Sequence, residues 1–127
     1  MSGKLPTLGF LGSGAITTAM VTGFCSRAAD LPYPIIVSDM RQEACEKLER
    51  EFPGRVTAAK SLQACVDASD WVIIAVWPQA GKEVMESLTF RPDHKLINVM
   101  FDKTVEEISA WMNCKVDTML HMIPGTF

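Results

Sequence analysis

Gly9-Phe10-Leu11-Gly12-Ser13-Gly14-Ala15-Ile16-Thr17 is the stretch on which the fold of this chain turns. Leu8-Gly9-Phe10-Leu11 reads as a buried strand, and it enters a glycine turn with no spacer. After the turn, Ile16, Ala19, Met20, Gly23 and Phe24 recur at spacings of three and four, which predicts a helix over 15–26 with that face on the core. Gly12 lets the chain turn sharply, and Gly14 lets backbone N–H groups approach an anion with no Cβ in the way. The helix start at Ala15 presents partial positive charge to the same place. Thr17 takes the third position, where a smaller Gly or Ala usually allows close packing, so the motif is Gly-x-Gly-x-x-Thr. The segment thus predicts a seat for the pyrophosphate of a dinucleotide. The same residues also fit a plain tight turn between two buried elements.

Outward from this turn, a second strand over 35–39 ends on Asp39, 27 positions after Gly12. A carboxylate there can accept from adenosine ribose hydroxyls, which favours NAD, whereas Ser38 and Arg41 could hold the extra phosphate of NADP. The expected cofactor is therefore NADP or NAD. Asp39 also fits a cap for the helix predicted over 42–52, and Arg41 fits a solvated surface equally well. Pro53-Gly54 ends that helix, Arg55 to Ala58 is a weaker strand, and Ser61 can cap a short helix from Leu62 to Asp67. Trp71 to Val76 reads as the strongest strand, and since it does not alternate, both of its faces should be buried. Pro78 stops it. A helix over 79–88, a strand over 95–100, a helix over 104–112 with a Thr104/Glu107 capping box, and a strand from about Val116 to Met122 complete the chain. Six short strands separated by helices imply right-handed crossovers. The fold class is then three-layer α/β, a doubly wound parallel sheet of Rossmann type.

Composition sets the outer bounds. In 127 residues, 12 Lys+Arg stand against 15 Asp+Glu for a net charge of −3, and 48% of residues are hydrophobic. That describes one globular domain able to bury roughly two-thirds of its unfolded surface. The mild negative charge excludes a nucleic-acid reader. The longest apolar stretch, Trp71 to Trp77, is far short of the ~20 residues that span a bilayer, so no membrane partner is expected. Met1 to Pro6 has no signal-peptide core. Cys25, Cys45, Cys65 and Cys114 lie 20, 20 and 49 positions apart, which matches neither a zinc spacing nor a redox pair. They read as reduced, mostly buried thiols in a cytoplasmic protein without a metal. The end, Ile123-Pro124-Gly125-Thr126-Phe127, stops on an apolar residue and reads as cut from something longer.

Gly9-Phe10-Leu11-Gly12-Ser13-Gly14, Val37-Ser38-Asp39, Ala75-Val76-Trp77-Pro78-Gln79 and Met122-Ile123-Pro124-Gly125-Thr126 together resemble the pyrroline-5-carboxylate reductase family along the whole chain. Its pattern there is a Gly-Phe-Ile-Gly-x-Gly-x-Met-Ala turn, an Ala-Val-Lys-Pro-Gln strand end and a closing Met-Pro-Asn-Thr-Pro segment. The resemblance implies an oxidoreductase that transfers hydride from NAD(P)H to the imine carbon of a small-molecule substrate, pyrroline-5-carboxylate, giving L-proline. It also implies that residues 1–127 are only the Rossmann domain. The family's helical C-terminal domain, which dimerises and completes the substrate site, is absent from this chain. The complete protein is then expected to be a homodimer, and the chain alone inactive. Residue by residue, the resemblance implies phosphate contacts from Gly12, Ser13, Gly14, Ala15 and Ile16, and adenosine recognition by Ser38, Asp39 and Arg41. Ribose or nicotinamide contacts fall to Ala75, Val76, Trp77, Pro78 and Gln79, with Pro124 and Thr126 near the nicotinamide. It assigns no catalytic residue.

Three departures from that pattern point to another substrate or a degenerate site. Trp77 stands in the place of Lys, Phe101-Asp102 in the place of Ala-Gly, and Gly125 in the place of Asn. Trp77 cannot donate as an ammonium does, and Phe101 and Asp102 bring bulk beside the nicotinamide. The alternatives are a non-catalytic dinucleotide-binding or redox-sensing module, or a related NADP-dependent reductase with a different substrate. Deazaflavin-dependent NADP reductases and other imine or hydroxy-acid dehydrogenases share this nucleotide domain. S-adenosylmethionine is a further adenosine compound for the glycine turn, though Pro78-Gln79 and the Pro124 segment argue against it. His121 is the local candidate for acid–base work, but a structural role fits its strand position better. His94, between Asp93 and Lys95, reads as a solvent-exposed turn residue, and Trp71, Trp111, Met119 and Met122 read as core.

Overall fold

The computed structural model describes residues 5–27, 30–100 and 102–122. In chain order its elements are β1 (Leu8–Leu11), α1 (Ala15–Ser26), β2 (Ile35–Ser38), α2 (Gln42–Glu51), β3 (Val56–Ala58) and α3 (Leu62–Ala68). They continue with β4 (Trp71–Ile74), α4 (Pro78–Ser87), β5 (Lys95–Asn98), α5 (Val105–Trp111) and β6 (Thr118–His121). All strand pairs are parallel, and the order across the sheet is β3-β2-β1-β4-β5-β6. The three-layer, doubly wound α/β fold expected from the sequence is the one formed. Its order reverses between β1 and β4, where Phe10 pairs with Val37 on one side and with Ile73 on the other.

Side-chain alternation along the strands divides the core between the two faces of the sheet. Leu8, Phe10, Ile35, Val37 and Ile73 pack with Val21 of α1 and with Cys45 and Leu48 of α2. Leu11, Val72, Ile74 and Leu96 pack with Val66 of α3, Met85 of α4 and Ile108 of α5. β4 is buried on both faces, as its unbroken apolar run requires. Gly9 belongs to the second face, where a Cβ would fall 2.0 Å from Ser69 Oγ, so its missing side chain is what lets the end of α3 sit against β1.

Several sequence expectations shift in this packing. α1 buries Thr17 and Val21, with Met20 and Phe24 half-buried, while Ile16, Ala19 and Gly23 face outward. The rotation is set by Thr17, whose hydroxyl donates to the Gly12 carbonyl at 2.8 Å and turns its side of the helix inward. β4 ends at Ile74 and β5 at Asn98, earlier than the apolar runs suggest. Beyond β5, the Asn98 amide accepts from Met100 N–H and donates to the Lys103 carbonyl, folding the chain into a loop. Met119 packs against the core as expected, whereas Met122 is exposed.

His94 is buried, contrary to its solvent-exposed reading. Nδ1 accepts the Arg91 N–H at 2.8 Å, and Nε2 lies 2.8 Å from the Val66 carbonyl and 3.0 Å from that of Ser69. These partners require a neutral ring protonated on Nε2. Arg91 adds bonds to the carbonyls of Asp67 and Ser69, so the two side chains together satisfy the carboxyl end of α3. All four cysteines are free thiols, and burial pushes the Cys45 thiol up to about 11.

Candidate cofactor site

The glycine turn lies at the carboxyl end of β1, at the point where the strand order reverses. Gly12 N–H donates to the Ser38 carbonyl at 2.8 Å, and the Leu11 carbonyl accepts from Ala75 N–H at 2.8 Å, so the turn is tied to both neighbouring strands. Gly12 has φ +104°, and a Cβ on it would lie 2.4 Å from the Ala75 carbonyl oxygen. The protein's own packing therefore demands a glycine there. Gly14 differs. Its backbone is extended, and a Cβ would meet no protein atom within 4 Å. No packing contact inside the domain requires its missing side chain, which leaves the backbone open to approach from the cleft.

Gly14 is also the N-cap of α1, with no side-chain cap and no acid in the first turn. The N–H groups at the start of that turn are thus left to solvent or to an anion. Thr17, oversized for the third motif position, is accommodated because its hydroxyl is buried on the Gly12 carbonyl.

Asp39 stands at the end of β2 as expected, but its carboxylate is turned onto the glycine loop. Oδ2 accepts from Ser13 N–H and Ser13 Oγ–H, each at 2.7 Å, and Oδ1 accepts from Arg41 N–H at 2.8 Å. The Arg41 guanidinium lies 3.6 Å from Oδ1. Desolvation works against the charge, yet these hydrogen bonds from Arg41 and Ser13, with the Arg41 charge, outweigh it and lower the Asp39 pKa. Both acceptor positions of Oδ2 are filled, so Asp39 clamps the turn, while Oδ1 accepts a single hydrogen bond. Nor is Asp39 the cap of α2, whose N-cap is Arg41 without a side-chain bond. Ser38, expected beside Arg41 as a phosphate holder, is fully buried with its hydroxyl on the Phe10 carbonyl.

A cleft opens above the turn. Its walls are Gly12, Ser13 and Gly14; Asp39, Met40 and Arg41 after β2; Leu62 at the start of α3; and Ala75, Val76, Trp77, Ala80 and Val84 of β4–α4. A neighbouring hollow between α1 and α2 carries Ala15 and Thr18 with Arg41 and Lys47. Ile16 is exposed outside both. Pro78 is the first residue of α4 and Gln79 is exposed beside it. Pro124 and Thr126 lie outside the described residues, as does Phe101. Met40, Leu62, Ala80 and Val84 carry no motif, and only the strand order brings them to the turn.

His121 Nε2 lies 3.1 Å from the Met100 carbonyl, which fits the structural role the strand position suggested. Among the described residues no group of His, Cys, Asp or Glu is placed to hold a metal ion, and no helix is long and apolar enough to cross a membrane.

Solved structures of several reductases share this fold. Pyrroline-5-carboxylate reductase from Streptococcus pyogenes superposes with a TM-score of 0.78 at 20% identity, covering 95% of this chain and 43% of that one. The enzyme from Coxiella burnetii gives 0.75 at 20% identity, over 87% of this chain and 41% of that one. A reductive aminase from Aspergillus terreus, solved with NADPH and ethyl-5-oxohexanoate, gives 0.68 at 16% identity, over 93% and 39%. At these identities the likeness is one of fold, and the chain spans about two-fifths of the length of these structures. No curated protein sequence matches it significantly. The model of a family described as NADP oxidoreductase, coenzyme F420-dependent, matches residues 7–101, from the strand before the glycine turn to the loop after β5. The chain therefore belongs to that family of NADP-dependent oxidoreductases.

Proposed function

We propose that this chain is the nucleotide-binding domain of an NAD(P)H-dependent reductase resembling pyrroline-5-carboxylate reductase. The observation that carries the reading is the pairing of Gly14, whose missing Cβ the protein does not need, with the uncapped start of α1. Gly12, Ser13, Gly14 and Ala15 would hold the pyrophosphate. Ala75 and Val76 would face the riboses, with Trp77, Pro78 and Gln79 beside them. The bound dinucleotide supplies the hydride, and the protein's residues bind, orient and exclude water. Arg41, with its guanidinium largely exposed at the cleft, supports NADPH over NADH, since Ser13 occupies Oδ2 of Asp39 and Arg41 N–H already donates to Oδ1.

The likeness to two pyrroline-5-carboxylate reductases supports an imine such as pyrroline-5-carboxylate as substrate and L-proline as product. A helical domain beyond these residues would complete the substrate site and a homodimer. The four free thiols support a cytoplasmic location. The reductive aminase neighbour and the substitutions Trp77, Phe101, Asp102 and Gly125 support a second reading, a related NADP-dependent reductase with a different substrate.

Calorimetric titration of the chain with NADPH and NADH, beside Gly14→Val, tests the proposal. Saturable binding, tighter for NADPH and weakened about 100-fold by Gly14→Val, is the expected result. No binding of either nucleotide to the wild type, or equal binding by the variant, overturns it. The chain alone should form no proline from pyrroline-5-carboxylate, and measurable turnover would show that the site is complete without a further domain.

A further inference from the structure

Two of the largest unburied apolar side chains face the same cleft. Met40 is 84% exposed and Trp77 69%, the two highest values among the exposed large hydrophobic residues described. Both line the cleft above Gly12 and Gly14. Large apolar groups left in water beside a polar turn mark a surface that receives something apolar. Trp77 is held ready for it. Its backbone at φ −59° and ψ 134° is in the extended region that a following proline favours, Pro78 begins α4, and the Trp77 carbonyl accepts the Ala80 N–H at 2.8 Å. The direction in which the indole leaves the chain is therefore fixed before any ligand arrives.

The position of the cleft selects the part of a ligand that reaches this indole. Besides Ala75, Val76, Trp77, Ala80 and Val84 of the β4–α4 segment, it takes walls from the loop after β2 and the start of α3, so it reaches onto the β1–β2–β3 side of the reversal point. In a doubly wound sheet each half serves one mononucleotide, and the half holding the acidic end of β2 serves the adenosine. Leu62 from this half, with Ala80 and Val84 from α4, gives the cleft an apolar lining. An indole stacks on a purine whatever its hydrogen-bonding edge, because every base presents a π-face.

Resting on the dinucleotide reading above, we infer that Trp77 is a binding residue for the adenine ring, stacking its indole on the base while Met40 closes the cleft from the β2 loop. The side chain that departs from the lysine pattern then replaces an ionic contact to the cofactor with an aromatic one. Trp77 thereby sets affinity for the adenosine half and leaves the nicotinamide half to the rest of the cleft.

Tryptophan emission and calorimetry with three probes test this: NADPH, 2′,5′-ADP, which carries the adenine without nicotinamide, and nicotinamide mononucleotide, which carries no adenine. In the wild type, NADPH and 2′,5′-ADP should quench tryptophan emission and nicotinamide mononucleotide should not. Trp71 and Trp111 are packed against the two cores away from this cleft, so for 2′,5′-ADP, which lacks the dihydronicotinamide that takes energy from every tryptophan, they serve as the unresponsive background. Trp77→Ala should weaken NADPH and 2′,5′-ADP alike by about 5- to 150-fold, the range of one lost base–aromatic stack. Trp77→Phe should restore most of the affinity. Unchanged affinity of Trp77→Ala for 2′,5′-ADP, with the wild type binding it, overturns the stacking role and leaves the dinucleotide reading intact. A wild type that binds neither adenine probe overturns both.

Discussion

The helices α1 and α5 both begin at the carboxyl edge of one parallel sheet, and they treat their first backbone N–H groups in opposite ways. α5 opens on a complete capping box: Thr104 Oγ1 accepts the Glu107 N–H at 3.1 Å, and the Glu107 carboxylate accepts the Thr104 N–H at 3.2 Å. Glu106 and Glu107 add negative charge to its first turn. α3 likewise has Ser61, whose hydroxyl accepts from Ala64 N–H. α1 has Gly14, no side-chain cap and no acid. A helix that satisfies its own amino end gains stability there, and its acids repel an anion. One that leaves the end open forgoes that gain and retains a place for an anion. The contrast separates a start that satisfies itself from one left open, as those of α2 and α4 also are, and the proposed function gives the open end of α1 to the dinucleotide.

Substitutions can break this contrast at either end. The largest effect belongs to Gly12→Ala, where positive φ combines with a Cβ 2.4 Å from the Ala75 carbonyl. A loss of about 3 kcal/mol or more is expected in urea unfolding. A loss below 1 kcal/mol would mean that the turn is not held against β4 as described. Gly14→Val in the same motif should behave differently. Its Cβ is free and its backbone extended, so stability should fall by only about 1 kcal/mol, the order of a poor N-cap. NADPH binding should weaken by about 100-fold, a loss of ~2.7 kcal/mol. If both glycines affected stability and binding in parallel, the division between them would be wrong.

Asp39→Asn removes the charge that accepts from Ser13 and Arg41, and should cost about 1.5–3 kcal/mol, the scale of a hydrogen bond to a charged group. Because the folded pKa is lowered, the Asp39 contribution is present above the unfolded value near ~3.9 and is lost as pH falls through the lower folded value. Denaturation curves of wild type and variant should therefore converge below about pH 4. Curves that stay parallel across that range would remove Asp39 from the clamp. Thr104→Ala should destabilise by about 1 kcal/mol and leave NADPH affinity untouched, since α5 lies away from the cleft. The smallest change gives the sharpest comparison: Ala15→Glu gives α1 the acid that α5 already has. It should raise the apo melting stability by about 0.3–1 kcal/mol while weakening NADPH binding. A stabilised variant that binds as well as the wild type would show that the open end of α1 is not where the anion sits.

Much of this molecule was legible in short windows of the chain. The helix over 15–26, the capping box at Thr104, the Ser61 cap and the doubly buried β4 are each encoded by neighbours within four residues, the reach of helical and strand periodicity. Asp39 shows where that legibility stops. Its position at the end of β2 was readable, but its partner Ser13 is 26 residues away, and the occupied carboxylate is visible only once β2 pairs with β1. Ile16 and Thr17 show the same limit at closer range. Apolarity assigned Ile16 to the core, whereas a hydroxyl closing on the Gly12 carbonyl rotated the helix to bury Thr17 instead.

The sequence by itself determined the order and type of the elements, the glycine turn and the family to which the chain belongs, because hydrophobic period, caps and turn residues act locally. Only the tertiary structure decided that His94 is buried beneath the end of α3, that Ser38 faces the interior and that Met40, Leu62 and Trp77 meet in one cleft. Those facts depend on which strands lie side by side. In a parallel sheet that adjacency is created by crossovers tens of residues long, which no local pattern records.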